Sequence, residues 1–240
     1  MFVNYAHRGA STYAPENTMT SFRLGIEMGA NGIETDIQET KDGHLVLFHD
    51  DSIERCSNGT GRIADYTLEE LRALDFGGWK DKRFKGEPIV LFEDFAREFF
   101  GLDLVFALEL KVRNTEQKVY DIIKKYANID NIYISSFDFA NLEAMSRIAP
   151  ELKLSWLILT EINEENIAKL LSIGGKQICP KCSKTTAEGV ALAASHGLGV
   201  RMWGTSDTEI MQKVYPLNTE GMTVNFPDKL TALMKKFPRK

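Results

Sequence analysis

Four short segments carry residue types able to move protons, hold a cation and bind an anion: His7-Arg8-Gly9, Glu34-Thr35-Asp36, His49-Asp50 and Glu109-Leu110-Lys111. Side chains alternate faces along a strand, so Glu34 and Asp36 share one face while Ile33, Thr35 and Ile37 point the other way. Glu109 and Lys111 repeat the arrangement, with Leu108 and Leu110 opposite. Three converging carboxylates repel one another unless a cation offsets them. Carboxylate oxygens suit one hard divalent ion, Mg²⁺ or Ca²⁺, with Mn²⁺ also admissible. One metal, two histidines, an arginine and a lysine match the needs of phosphodiester cleavage. The diester is anionic and its transition state more so, which a metal and Arg or Lys offset. The attacking hydroxyl loses a proton and the leaving alkoxide gains one, work that two histidines can divide near neutral pH. On this reading His7 is a proton-transfer group and Arg8 a phosphate anchor beside it.

These segments need a frame that aims them at one point. Short β-rich runs at 2–6, 32–37, 104–110, 132–135, 153–158, 176–179, 198–203 and 222–225 alternate with helical patterns near 18–28, 93–100, 115–126, 138–148, 163–172, 186–196, 207–214 and 227–236. Capping residues stand ahead of several helices, in Asn114-Thr115-Glu116, at Asp138 and in Thr185-Thr186-Ala187-Glu188, and Pro227-Asp228 suits a first helical turn. Eight strands and eight helices in strict alternation predict a (β/α)8 TIM barrel in one domain spanning 1–240. Residues 43–48 predict an extra extended segment, folded back through the Lys41-Asp42-Gly43 turn. The stretch 51–90, with one short helical pattern near 67–74, reads as an insertion after the second strand, too poor in apolar residues for a core of its own. The polar residues fall at the C-terminal strand ends, where barrel enzymes build their sites. His7 and Arg8 follow strand one, Glu34 and Asp36 sit late in strand two, and Glu109 and Lys111 close strand three. Ser135 and Ser136 end strand four, Lys181 lies beyond strand six and Trp203 ends strand seven. His44, in a turn, and His196, late in a helix, read as structural.

The chain of 240 residues is 43% hydrophobic and 26% charged, an ordinary globular composition. Its 29 basic and 34 acidic residues leave a net charge of −5, which argues against nucleic acid as the partner. No apolar run reaches the ~18 residues of a membrane span, and the N-terminus shows no signal-peptide pattern. A cytoplasmic location and no stable membrane insertion are therefore expected, taking Met1 as the start, and a monomer or a homodimer are both open. Cys56, Cys179 and Cys182 give no disulfide framework, and Cys179-Pro-Lys-Cys182 reads as an incidental pair at a strand end rather than a redox or zinc motif.

The motifs together resemble those of the glycerophosphodiester phosphodiesterase family. The resemblance rests on His7-Arg8-Gly9, Pro15-Glu16-Asn17-Thr18, Ile33-Glu34-Thr35-Asp36, Thr40-Lys41-Asp42-Gly43, His49-Asp50, Asn58-Gly59-Thr60-Gly61 and Glu109-Leu110-Lys111. It continues weakly through Ser136-Phe137 and Trp203 to Asn225-Phe226-Pro227. It implies a (β/α)8 barrel with a small insertion, and hydrolysis of a small-molecule glycerophosphodiester to glycerol 3-phosphate and an alcohol, through a cyclic phosphate. It also implies His7 and His49 as the acid/base pair, Glu34, Asp36 and Glu109 as metal ligands, and Arg8 and Lys111 on phosphate. Asn17 would position the metal site or substrate, and Phe137 and Trp203 would line a glycerol pocket. Gly204-Thr205-Ser206, Cys179-Pro-Lys-Cys182 and Gly221-Met-Thr-Val-Asn225 depart from the family's common pattern, all on the headgroup side. Two alternatives remain: a barrel lipase meeting lipid through Phe76, Trp79 and Phe84 of the insertion, and a non-catalytic binder of phosphorylated polyols.

Overall fold

The computed structural model describes residues 2–239. Eight parallel strands close on themselves in the order β1 (Val3–His7), β10 (Gly221–Val224), β9 (Gly199–Thr205), β8 (Gln177–Pro180), β7 (Lys153–Ile158), β6 (Ile132–Ser136), β5 (Val105–Leu110) and β2 (Gly32–Glu39). β1 pairs with both β10 and β2, which completes a TIM barrel. The covering helices are α1 (Met19–Glu27), α3 (Phe92–Phe99), α4 (Glu116–Tyr126), α5 (Phe139–Ile148), α6 (Glu164–Leu171), α7 (Ala187–Ser195), α8 (Thr208–Val214) and α9 (Pro227–Lys236). Each lies within a residue or two of its predicted span. Asp138 accepts from Ala140 N and Thr186 from Gly189 N, as capping side chains do, and Pro227 occupies the first turn of α9. Thr115 does not cap: its hydroxyl donates to Val112 O instead, a local bond that competes with the cap.

The main core lies between strands and helices. Ile33 and Ile37 of β2 and Phe106 of β5 pack under Phe22 and the Phe92, Phe95, Phe99 and Phe100 ladder of α3. Edge-on ring pairs fill this layer, among them Phe22–Phe95 at 4.8 Å and Phe100–Phe106 at 4.9 Å between centroids. The barrel interior is more polar. Below its mouth, Arg201 is fully buried, donates to Gln177 Oε1 and Thr223 Oγ1, and stands 5.3 Å from the centre of the Tyr5 ring. These hydrogen bonds offset part of the cost of burying the guanidinium, whose Nη2 has no hydrogen-bond partner among the described residues.

The foldback after β2 forms as predicted: β3 (Leu45–Leu47) pairs antiparallel with β2, Ile37 opposite Leu47. A short β4 (Val90–Leu91) extends it, and α2 (Leu68–Arg72) lies in the intervening segment. The insertion departs from expectation in one respect. Its scattered apolar residues Ile53, Cys56, Ile63, Leu68, Leu71, Phe76 and Ile89 do gather into a buried cluster, completed by Val46 and Phe48. The β3 edge supplies the missing surface, which composition of 51–90 alone could not reveal. Lys80 Nζ and Arg83 Nη2 then tie the insertion to the carbonyls of Ser11 and Tyr13, in the loop after β1.

Candidate active site

Strand register brings the four chemical segments together. His7 stands opposite Glu34 across β1 and β2, and Asp36 opposite Glu109 across β2 and β5. Glu34, Asp36 and Glu109 are buried, and each offers an oxygen within 4.8 Å of the others. Glu34 Oε2 and Asp36 Oδ1 are buried without any hydrogen bond. Two orphaned oxygens in an all-carboxylate set fit a hard divalent cation, which takes such ligands.

The three acids have different surroundings. Burial works against the charge of Asp36, but the cations around it, Arg8 first, prevail and hold it at about 2. Arg8 Nε lies 3.1 Å and Lys111 Nζ 3.9 Å from its oxygens, and Asn17 Nδ2 donates to Oδ2 at 3.0 Å. Thr35 steadies Asn17 by donating to its Oδ1. Burial, then the charge of Asp36, push Glu109 up to about 7 although Lys111 Nζ is 2.9 Å away. Burial and both other carboxylates raise Glu34 well above the usual range.

The two histidines flank this cluster, each fixed through Nδ1. His7 Nδ1–H donates to Asn225 Oδ1 at 2.5 Å, leaving Nε2 3.7 Å from Glu34 Oε2. Burial, then the Arg8 cation, lower His7 to about 4, so its Nε2 is an unprotonated base at neutral pH. His49 Nδ1–H donates to Asp50 Oδ1 at 2.5 Å. Burial opposes the Asp50 charge, but hydrogen bonds from Arg55 and then His49 outweigh it and hold Asp50 at about 2.

Local backbone strain serves this geometry. Arg8 and Asn17 both adopt φ 56°, a left-handed conformation unfavourable for side-chain-bearing residues. Arg8 N donates to Glu34 O, and Arg8 O accepts from Asn17 N and Ser21 Oγ, so the turn is bonded from both sides. Gly9, at φ 83°, leaves room for α1: a Cβ there would meet Ser21 at 2.3 Å. This explains the abrupt His-Arg-Gly strand end.

Phe137 and Trp203 meet edge-on at 5.0 Å and wall a cavity of about 160 Å³ that also touches His7, His49, Glu34 and Glu109. All ten residues singled out in the sequence therefore gather at this mouth or directly behind it. Of the other polar strand ends, Ser136 Oγ donates to Leu110 O and serves the barrel wall. His44 and His196 lie elsewhere, beside Asp42 and Glu164 respectively. The three cysteines are buried and free; burial pushes Cys56 up to about 12 and raises Cys179 and Cys182, so none is poised as a thiolate.

Sequence reasoning passed over Glu16, Asp50, Arg55, Arg201 and Asn225 as site residues. Arg201 was accessible to the rule that paired Glu34 with Asp36, since it lies two residues before Trp203 and so on the same, inward face. Asp50 was signalled by its place beside His49. Asn225 closes the β-rich run 222–225, two residues after Thr223, and was open to the same rule, whereas Glu16 and Arg55 are brought in by loops and carry no periodic signal.

A closed parallel barrel with acid, base and cation groups at its C-terminal mouth defines a TIM-barrel enzyme. More narrowly, the chain belongs to the glycerophosphoryl diester phosphodiesterase family, whose sequence profile matches residues 7–229, and so to the phosphoric diester hydrolases. It is 33% identical over 240 residues, 96% of this chain and 97% of the other, to a glycerophosphodiester phosphodiesterase of Caldanaerobacter subterraneus subsp. tengcongensis. A phosphodiesterase of Oleispira antarctica, solved in complex with the product sn-glycerol-3-phosphate, superposes with a TM-score of 0.88 at 26% identity, covering 96% of each chain. A glycerophosphodiester phosphodiesterase from Agrobacterium tumefaciens superposes with a TM-score of 0.84 at 25% identity, covering 97% of this chain and 100% of that one.

Proposed function

We propose that this protein hydrolyses glycerophosphodiesters to sn-glycerol 3-phosphate and an alcohol, with a divalent cation at Glu34, Asp36 and Glu109 and with His7 and His49 sharing the proton transfers. The observation that carries this reading is the pair of histidines, each locked through Nδ1, on either side of a buried, partly orphaned carboxylate triad. The sn-glycerol-3-phosphate complex of the Oleispira antarctica enzyme supports the substrate class.

When bound, the cation would offset charge on the phosphoryl oxygens. Arg8 and Lys111 would add fixed positive charge beside it, and Asn17 keeps Asp36 turned toward the centre. Phe137 and Trp203 would pack against the glycerol carbons. In this mechanism the glycerol hydroxyl next to the phosphate attacks phosphorus, giving up its proton to one histidine. The bond from phosphorus to the alcohol oxygen breaks, and the other histidine protonates that oxygen. Water then opens the cyclic phosphate with the proton roles reversed. No side chain need become covalently attached.

The insertion aromatics do not favour a lipid surface. Phe76 is buried against Phe48, Trp79 donates to Phe76 O and carries Lys80 over its ring, and Phe84 stacks with Arg83. No helix among the described residues is long and apolar enough to cross a membrane. The test is release of glycerol 3-phosphate from a panel of glycerophosphodiesters in EDTA and after adding back Mg²⁺, Ca²⁺ or Mn²⁺. Metal-restored release is expected. Product binding without turnover under every metal would identify a binding module instead.

A further inference from the structure

The cavity of about 160 Å³ is smaller than the roughly 300–1,000 Å³ of sites that enclose a whole drug-sized ligand, so part of a bound diester must extend beyond it. One groove, of about 390 Å³, continues from it and shares His7, Trp203, Gly204 and Thr223 as lining. Its far side is made by Lys181, Ser183, Ser206 and Asn225. Among the described residues no carboxylate lines it, and Lys181 forms no ion pair within 4 Å. Asp207, next in sequence to Ser206 of the groove, is taken up by Ser206 Oγ and by the N-terminus of α8.

Lys181 is held in place although its head is exposed. Its backbone bridges to Trp203, and its ammonium lies 6.0 Å from the centre of the Trp203 ring. Gly204, at φ 70°, lets the stem pass: a Cβ there would come within 3.1 Å of Lys181 Cγ. The aromatic face that could bind a quaternary ammonium is thus already claimed by a cation of the protein itself.

Resting on the phosphodiesterase reading, we infer that this groove is the seat of the leaving alcohol, and that Lys181 selects headgroups bearing negative charge over those bearing positive charge. Hydroxyl-rich neutral headgroups fall between, since Ser183, Ser206 and Asn225 offer hydrogen bonds without charge.

The test compares three diesters of glycerol 3-phosphate, with glyceric acid, glycerol and choline as the alcohol. They are hydrolysed by metal-loaded wild type, Lys181→Gln and Lys181→Glu. Wild type should prefer the carboxylate diester over the choline diester in kcat/KM by about tenfold or more, the effect of one charge pair near a protein surface. Lys181→Gln should flatten that ratio and Lys181→Glu should invert it. A ratio cancels any general loss of active protein, so partial misfolding cannot imitate the result. Equal ratios in all three proteins would overturn the role of Lys181 and leave the phosphodiesterase reading intact. Absence of release from every diester in wild type would overturn that reading and this inference with it.

Discussion

Arg55 clasps both carboxylate oxygens of Glu16, its Nη1 and Nη2 each donating at 2.8 Å. Arg55 belongs to the insertion and Glu16 to the loop before α1. Glu16 also accepts from Arg8 Nη1 at 2.8 Å, and Arg55 Nε donates to Asp50, which holds His49. A chain of charge-assisted hydrogen bonds therefore runs from His49 through Asp50, Arg55 and Glu16 to Arg8, beside Asp36. The insertion acts as a brace between the two halves of the site.

If the brace sets the geometry, Arg55→Ala should lower kcat/KM by about 10–100-fold, as loss of groups supporting a metal or catalytic shell does. Arg55→Lys should recover little, because an ammonium cannot reproduce three bonds from a planar fork. Arg55 is half-exposed, so the thermal midpoint should fall only slightly. Steady-state kinetics beside thermal melts would separate the two effects; unimpaired turnover in Arg55→Ala would show that the brace is dispensable.

The histidines should be needed for turnover and not for folding. Both keep partly exposed side chains that line the cavity. His7→Ala and His49→Ala should each reduce kcat by about 10²–10⁴-fold, the usual worth of a proton-transfer group. Circular dichroism should remain that of the wild type. A mutant retaining more than about a tenth of the wild-type kcat would remove that histidine from the mechanism.

The carboxylate triad makes a prediction about the metal-free protein. Glu109 titrates near 7 when folded, against an ordinary value of 4.5, and Glu34 is also raised. Between those two pH values the folded state holds more protons than the unfolded one, so this pair makes stability fall as pH rises. In EDTA, wild type should gain on Glu109→Gln as the buffer is taken from about pH 7.5 down to about pH 5, where the repulsion is relieved. Cation binding must displace those protons, so calorimetry in buffers of different ionisation enthalpy should show proton release, with affinity weakening below about pH 7. No release, together with a pH-independent melting difference, would mean that the three acids do not share a cation site.

Much of this molecule was legible because barrels are periodic. Alternation along β2 and β5 aimed Glu34, Asp36, Glu109 and Lys111 inward, and the same alternation applied to β9 reaches Arg201. The insertion was the harder part. Its apolar residues form a cluster only because Val46 and Phe48 approach from another element, and pairing across elements has no local signal. Glu16 and Arg55, 39 residues apart, meet for the same reason.

Asn225 sets which nitrogen of His7 is free. Its Oδ1 accepts from Nδ1–H, so the lone pair resides on Nε2, the atom facing Glu34 and the cavity. Asn225→Leu would free the ring to rotate and change tautomer; kcat should fall by about tenfold or more while the fold persists. Asn225→Asp poses the opposite question, keeping the acceptor and adding a charge. A carboxylate at that distance favours imidazolium, so the His7 pKa should rise from about 4 toward or beyond the ordinary 6.5. If His7 must be unprotonated in the free enzyme, the acidic limb of the kcat/KM profile should move to higher pH in Asn225→Asp. An acidic limb that stays fixed, with activity intact, would show that His7 does not act as a base in the rate-limiting step.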